Sequence, residues 1–239
     1  MVNKPDSSEF DQFAGRYAQL LDDPLRRMFT AGAGFFHQRK IDVLQKVVRA
    51  RRLEPGKMAW IDVGCGQGEL LKLGKPIFGT VAGCDVSREM LAHCEGIRVL
   101  HQTDFTRIPF DNASADLITA VCIFHHVEER DRLPLLLDMV RVLKPGGAFA
   151  MIEHNPWNPA TQWIVRRSPV DENAHLLFPG RSRRLLRRAG LKIAAQEYFL
   201  YLPEKLYVRL AAVEHSLRKL PLGGQYAAFG RREPAYGKS

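Results

Sequence analysis

The stretch IDVGCGQGEL, residues 61–70, runs from an apolar, strand-like segment into glycines at alternate positions, Gly64, Gly66 and Gly68. Glycine belongs where the backbone turns sharply and a ligand must approach without a Cβ in the way. The dinucleotide fingerprint G-x-G-x-x-G would place a third glycine at position 69, and the chain has Glu69 there. An acidic side chain at that point would face the helix N-terminus on which a pyrophosphate should rest. The loop therefore favours a nucleoside ligand without a diphosphate and disfavours a nicotinamide oxidoreductase.

Outward from this loop the rhythm is strand, turn, helix. KMAWIDV leads into the glycines, and a short helix is predicted from about Gln67. TVAGCD is a second strand, and Ser87 is placed to cap the following helix REMLAHC by accepting an orphan backbone N–H. IRVLHQ is a third strand and ADLITAVCIF a fourth. A helix over about 131–143 carries Leu133, Leu136, Leu137, Val140 and Leu143, and LKPGG is expected to stop it with glycine. GAFAMIE is the fifth strand. Such alternation builds a parallel sheet with right-handed crossovers, whose ligands bind at the carboxyl ends of the strands.

Two segments flank this core. Residues 1–56 read as an N-terminal helical cap, with Phe10, Phe13, Tyr17, Leu20 and Leu21 at helical spacing, the glycine-rich loop TAGAGFF, and a second helix over about 36–48. The remainder, 57–239, is the nucleoside-binding domain, with lid insertions expected at about 154–190 and 203–222. Its tail holds an arginine-rich helix, the strand LKIAAQEYFLY, an amphipathic helix with Leu206, Leu210, Val213, Leu217 and Leu220 in register, and the closing strand GGQYAAFGR.

With 239 residues the chain is long enough to bury a proper core, and no apolar run approaches the roughly 18 residues of a membrane span. The start lacks a signal-peptide pattern, so a cytoplasmic protein is expected. Cys65, Cys84, Cys94 and Cys122 show no C-x-x-C pairing and read as reduced, partly buried thiols. The net charge of +9 admits nucleic acid, an anionic surface or acidic small molecules as partners. In RSRRLLRR, residues 181–188, arginines flank paired leucines as on a helix with one solvated face. A nucleic-acid footprint is the competing reading, although no aromatics interleave as stacking platforms.

Acidic residues close the strands beyond the loop. Asp85 ends the second strand, where a carboxylate can accept hydrogen bonds from ribose hydroxyls. Asp104 follows the third strand with Phe105 beside it, placed to accept from an adenine amine. Taken in order, IDVGCGQGEL, GCDVSREML, TDF, ADLITAVCIFHHV and LKPGGAFAMIE resemble the class I S-adenosylmethionine-dependent methyltransferases over residues 57–153. The resemblance implies an α/β, doubly wound, Rossmann-like sheet of seven strands in the order 3-2-1-4-5-7-6, with strand 7 antiparallel. It also implies S-adenosylmethionine as cofactor. Gly64, Gly66 and Gly68 would line its methionine moiety, Asp85 its ribose, Asp104 and Phe105 its adenine, and Cys122 its amino group. Asp62, Cys65 and Val86 complete the expected cofactor set.

Methyl transfer from a sulfonium is an in-line displacement, so the protein mainly aligns the acceptor with the methyl carbon. A general base helps if the acceptor is a hydroxyl. His125 and His126 after strand 4, and His154 after strand 5, are the candidates; capping or packing roles compete for each. Tyr17, Glu153, Asn155 and Trp157 are expected on the acceptor side. Asn155-Pro156-Trp157 resembles the clamp of base-amine methyltransferases, but that clamp follows strand 4, whereas MIEHNPWNP follows strand 5. No metal is expected, because adjacent His125 and His126 would diverge and no His-x3-His or carboxylate cluster accompanies them. The expected acceptor is a small or lipid-like molecule, methylated at oxygen. An RNA methyltransferase using the basic patches and a non-catalytic cofactor-binding protein are the alternatives.

Overall fold

Strands β1 (Ala59–Val63), β2 (Thr80–Asp85), β3 (Arg98–His101), β4 (Ala115–Val121), β5 (Leu143–His154), β6 (Leu191–Phe199) and β7 (Gln225–Arg232) form one sheet in the order β3-β2-β1-β4-β5-β7-β6. The computed structural model describes residues 10–20, 23–30, 32 and 34–234. The first five strands pair in parallel, and β7 runs antiparallel to both β5 and β6. This is the expected sheet order.

Two hydrophobic clusters lie on opposite sides of the sheet, and the strand period of two assigns side chains to them. Ile61, Val63, Ile118, Ala120, Phe149 and Met151 join one cluster, with the helices Glu129–Val142 and Pro179–Arg188. Trp60, Leu117, Ala148, Ala150 and Ile152 join the other, with the helices Gly34–Ala50 and Glu69–Gly74. Covered on both faces, the central strands are apolar nearly throughout, as parallel sheets require. On the Trp60 face, the indole N–H donates to Thr119 Oγ1 at 2.8 Å, and that hydroxyl donates in turn to Asp62.

The structure departs from the sequence reading in four places. β4 leaves the sheet at Val121 rather than Phe124, because Cys122 takes a left-handed conformation with φ of 55°. The helix Glu129–Val142 ends when Leu143 turns extended and enters β5; Gly146, at φ of 81°, shapes a bend within that strand instead of capping the helix. TAGAGFF belongs partly to a helix beginning at Gly34, and its Ala31 and Ala33 lie outside the described residues. In the helix Glu204–Leu217 the leucine stripe is not the buried face. Leu206, Leu210 and Val213 are exposed, and Glu214, at 2 % exposure, is the buried residue of that helix. Its carboxylate accepts from the Arg39 guanidinium at 2.7 Å and from the backbone N–H groups of Leu200, Tyr201 and Leu202.

The arginines of Pro179–Arg188 are exposed while Leu185 and Leu186 are buried. That is the pattern of a solvated helix face. All four cysteines are free. No helix among the described residues is long and apolar enough to cross a membrane.

Candidate active site

A cavity of about 460 Å³ opens at the carboxyl ends of the strands. Its walls come from the turns after β1, β2, β4 and β5 and from helical segments on either side, including Phe10, Tyr17, Phe29, Phe36, Ile164 and Val170.

The glycine loop forms one wall. Gly64, Gly66 and Gly68 all adopt positive φ, so each is strained for any L side chain. A Cβ on Gly64 would overlap Ile123 Cγ2, whereas Gly66 has nothing within 4 Å of its Cβ direction. Gly66 is thus an uncovered backbone cradle facing the cavity. Its N–H donates to Asp85 Oδ2 at 2.8 Å, and Asp85 Oδ1 accepts from Ser87 N–H at 2.9 Å. Each carboxylate oxygen keeps acceptor capacity for a ligand. Burial pushes the Asp85 carboxyl pKa up, and the backbone N–H groups of Ser87, Gly66 and Val86 oppose the rise. Ser87 caps its helix as expected, accepting from Met90 N–H at 3.1 Å.

A segment of the N-terminal region crosses above this loop. Gln67 Nε2 donates to the Ala14 carbonyl at 2.8 Å, Ser87 Oγ donates to Asp11 at 2.5 Å, and the Phe10 ring meets His126 edge-on at 5.4 Å. Lys40, on the helix Gly34–Ala50, lines the cavity although buried, and it makes no ion pair among the described residues.

The polar wall is a histidine–carboxylate cluster. His125 and Glu153 are each 1 % exposed, and Nδ1 of His125 lies 2.5 Å from Glu153 Oε2. Glu153 Oε1 accepts from Phe124 N–H at 2.8 Å, which fixes the carboxylate. Asp171 Oδ1 lies 3.3 Å from His125 Nε2 and 3.5 Å from His126 Nε2. Burial pulls the His125 imidazole down, but Glu153 and then Asp171 outweigh it and raise its pKa to about 9. His154 goes the other way, lowered to about 4 by burial and by the neighbouring His125. Burial likewise lowers His126. Burial opposes ionisation of Asp171, yet the imidazoles of His125 and His126, 3.3 and 3.5 Å away, hold it well below the ordinary carboxylate range.

Asp62, Gly64, Cys65, Gly66, Asp85, Val86, Phe105, Cys122, Tyr17, His125, His126 and His154 line the cavity. Gly68 instead faces Cys94, whose Sγ a Cβ there would meet at 2.9 Å. Asp104 Oδ1 accepts from Thr106 N–H and Oγ1, both at 2.9 Å, as a turn former does. Glu153 stands behind His125 rather than in the wall. Asn155 is fully buried and pins the approach to β7, its Nδ2 donating to the carbonyls of Pro221 and Gly223. Trp157 is exposed, its ring 6.0 Å from that of Phe178. The expected divergence of His125 and His126 does not occur, since their rings lie 4.2 Å apart and both face Asp171. Nothing in the sequence marks Asp171 or Lys40 as a site residue. Asp171 sits in a turn with no periodicity, and Lys40 reads there as an ordinary cation on an amphipathic helix.

Seven strands in this order, a glycine loop after β1 and a carboxylate ending β2 define the class I S-adenosylmethionine-dependent methyltransferases, whose cofactor is S-adenosylmethionine. Residues 61–151 match the family described as a methyltransferase domain. Among curated proteins, the chain is 30% identical over 131 residues to a tRNA (carboxymethyluridine(34)-5-O)-methyltransferase of Arabidopsis thaliana, covering 54% of this chain and 31% of that protein. It is 34% identical over 130 residues to the methyltransferase GfsG of Streptomyces halstedii, covering 50% and 42%. The chain thus spans less than half the length of these relatives. In fold it is similar to the geranyl diphosphate C-methyltransferase of Streptomyces coelicolor, with a TM-score of 0.64 at 16% identity over 97% of this chain and all of the other.

Proposed function

We propose that the chain methylates an oxygen of a small or lipid-like organic acceptor. The observation that carries this reading is the cavity itself, in which apolar side chains from both flanking helical regions surround a histidine–carboxylate wall. Such a site suits a compact apolar body with one polar reacting group. Bound S-adenosylmethionine supplies a methyl carbon activated by a positively charged sulfur. Gly64, Gly66 and Cys65 offer the backbone against its methionine portion. Lys40 provides a buried cation for that portion's carboxylate, and Asp85 accepts from the ribose hydroxyls. Phe105 and Val86 flank the base. The helical segments exclude water and hold the acceptor in line, which is where most of the rate enhancement arises in such a displacement. His154, kept neutral, orients the acceptor's hydroxyl at the polar wall. Tyr17, half-buried in the cavity lining, closes the other side.

The tRNA methyltransferase relatives favour a second reading, methylation of an RNA nucleoside at oxygen. Both are decided by one experiment. The protein is incubated with S-adenosylmethionine labelled in its methyl group and a cell extract, and the products are divided into an organic-extractable and an RNA fraction. Label in the organic fraction is expected. Ribonuclease-sensitive label in the RNA fraction would overturn the small-molecule acceptor, and absence of transfer with no calorimetric binding of S-adenosylhomocysteine would overturn the whole assignment.

A further inference from the structure

His125 follows β4, His154 ends β5, and Asp171 closes the turn Pro169–Asp171. One ligating atom from each lies within 4.8 Å of the others. We propose that these three residues bind a divalent transition-metal ion of the zinc type, with a fourth coordination position open to the cavity. The donor set is two imidazole nitrogens and one carboxylate oxygen, which suits zinc, cobalt(II) or iron(II) and not magnesium or calcium.

The hydrogen-bond pattern around His125 points to an ion. Glu153, as a carboxylate, can only accept, so the proton between them sits on His125 Nδ1. This is the outer-shell arrangement that orients a metal-bound imidazole and leaves Nε2 as the ligating atom. Nε2 is buried and has no hydrogen-bond partner, yet it faces Asp171 Oδ1 at 3.3 Å. A positive charge, a proton or a metal ion, suits the space between a ring nitrogen and a carboxylate oxygen at that separation, and a metal ion is the occupant that also engages His154. The spacing is also that of neighbouring ligands in a tetrahedral site, about 3.3 Å when each bond is about 2.0 Å. A ring nitrogen of His154 lies within 4.8 Å of ligating atoms of both, and Glu153 adds a second negative charge behind the site.

The inference deepens the function proposed above and depends on it for the fourth ligand. The open position faces the cavity, so a hydroxyl or carboxylate oxygen of the acceptor would occupy it. An ion there acts as a Lewis acid, lowering the pKa of a bound hydroxyl.

The test uses the full chain, free of any affinity tag and stripped with a chelator, with cobalt(II) as the spectroscopic probe and zinc as competitor. One equivalent of cobalt(II) should bind, develop visible d–d bands of a four- or five-coordinate nitrogen/oxygen site, and be displaced by zinc. His154→Ala and Asp171→Asn should each weaken zinc binding at least tenfold, and Glu153→Gln by about 10–100-fold as an outer-shell change. S-adenosylhomocysteine binding, measured on each variant, reports that the fold is intact. Absence of a stoichiometric ion, or unchanged zinc affinity in the His154 and Asp171 variants with the nucleoside still bound, would overturn the site. Those outcomes leave the methyltransferase reading standing. Metal bound as expected by a protein that transfers no methyl group would do the reverse.

Discussion

Glu214 and Arg39 meet at 2.7 Å in a buried pair that joins the helix Glu204–Leu217 to the helix Gly34–Ala50. Arg39 also donates to Asp42 at 2.7 Å and to the Tyr207 hydroxyl at 2.5 Å, and its guanidinium lies over the Tyr207 ring, 3.8 Å from the centroid. Glu214 meanwhile accepts from consecutive backbone N–H groups beyond β6. One acidic side chain thus organises a chain reversal and a helix–helix junction together.

Arg39→Leu should destabilise the fold by about 3–5 kcal/mol, because it leaves the Glu214 charge buried without its partner. Urea unfolding of the two proteins measures this. A loss below about 1 kcal/mol would place the pair among solvated surface bridges.

Asp85→Ala should weaken S-adenosylhomocysteine binding by about 1–3 kcal/mol, the scale of hydrogen bonds to a charged group. Titration calorimetry reads the change directly. Unchanged affinity would remove Asp85 from the nucleoside site.

Alanine at Gly64 and at Gly66 should separate folding from binding. Both positions carry positive φ, which costs an alanine on the order of 1 kcal/mol. At Gly64 the new methyl also collides with Ile123, so stability should fall further. At Gly66 the methyl enters open cavity. That protein should fold with a small penalty and lose nucleoside affinity. Equal thermal shifts and equal binding in the two variants would refute the distinction.

Asp62 should make the protein more stable in acid than its carboxylate partners alone would. Burial raises its pKa to about 7 from an ordinary 3.8, opposed by the Thr119 hydroxyl. The folded state therefore holds this proton more tightly than the unfolded chain. The stabilisation is complete below about pH 4 and is lost as pH rises through about 7, on the order of 4 kcal/mol in total. Asp62→Asn should flatten that part of the profile when unfolding is followed between pH 4 and 8. A wild-type profile parallel to the variant's would show that Asp62 is ionised throughout.

Much of this architecture is legible in the sequence because the physical signals are local. TVAGCD is β2 to the residue, since an apolar run between a glycine turn and a serine helix cap has few other ways to lie in a covered sheet. The glycine loop and Asp85 are legible for the same reason, as turn chemistry at a strand end. The helix Glu204–Leu217 misleads because periodicity shows which side chains share a face, not whether that face finds a partner. There the buried position is Glu214, satisfied by hydrogen bonds from Arg39 and the chain beyond β6. Asp171 is invisible for another reason: it meets His125 across 46 positions of sequence, from a turn whose composition is unremarkable. Convergence of that kind exists in the folded chain alone.

The strap across the glycine loop has a kinetic meaning. Gln67 holds Ala14, Ser87 holds Asp11, and Phe10 rests against His126, so a nucleoside seated beneath them cannot depart along that side while these contacts persist. Shortening the side chain at Gln67 should therefore speed the release of bound S-adenosylhomocysteine, which stopped-flow displacement would read.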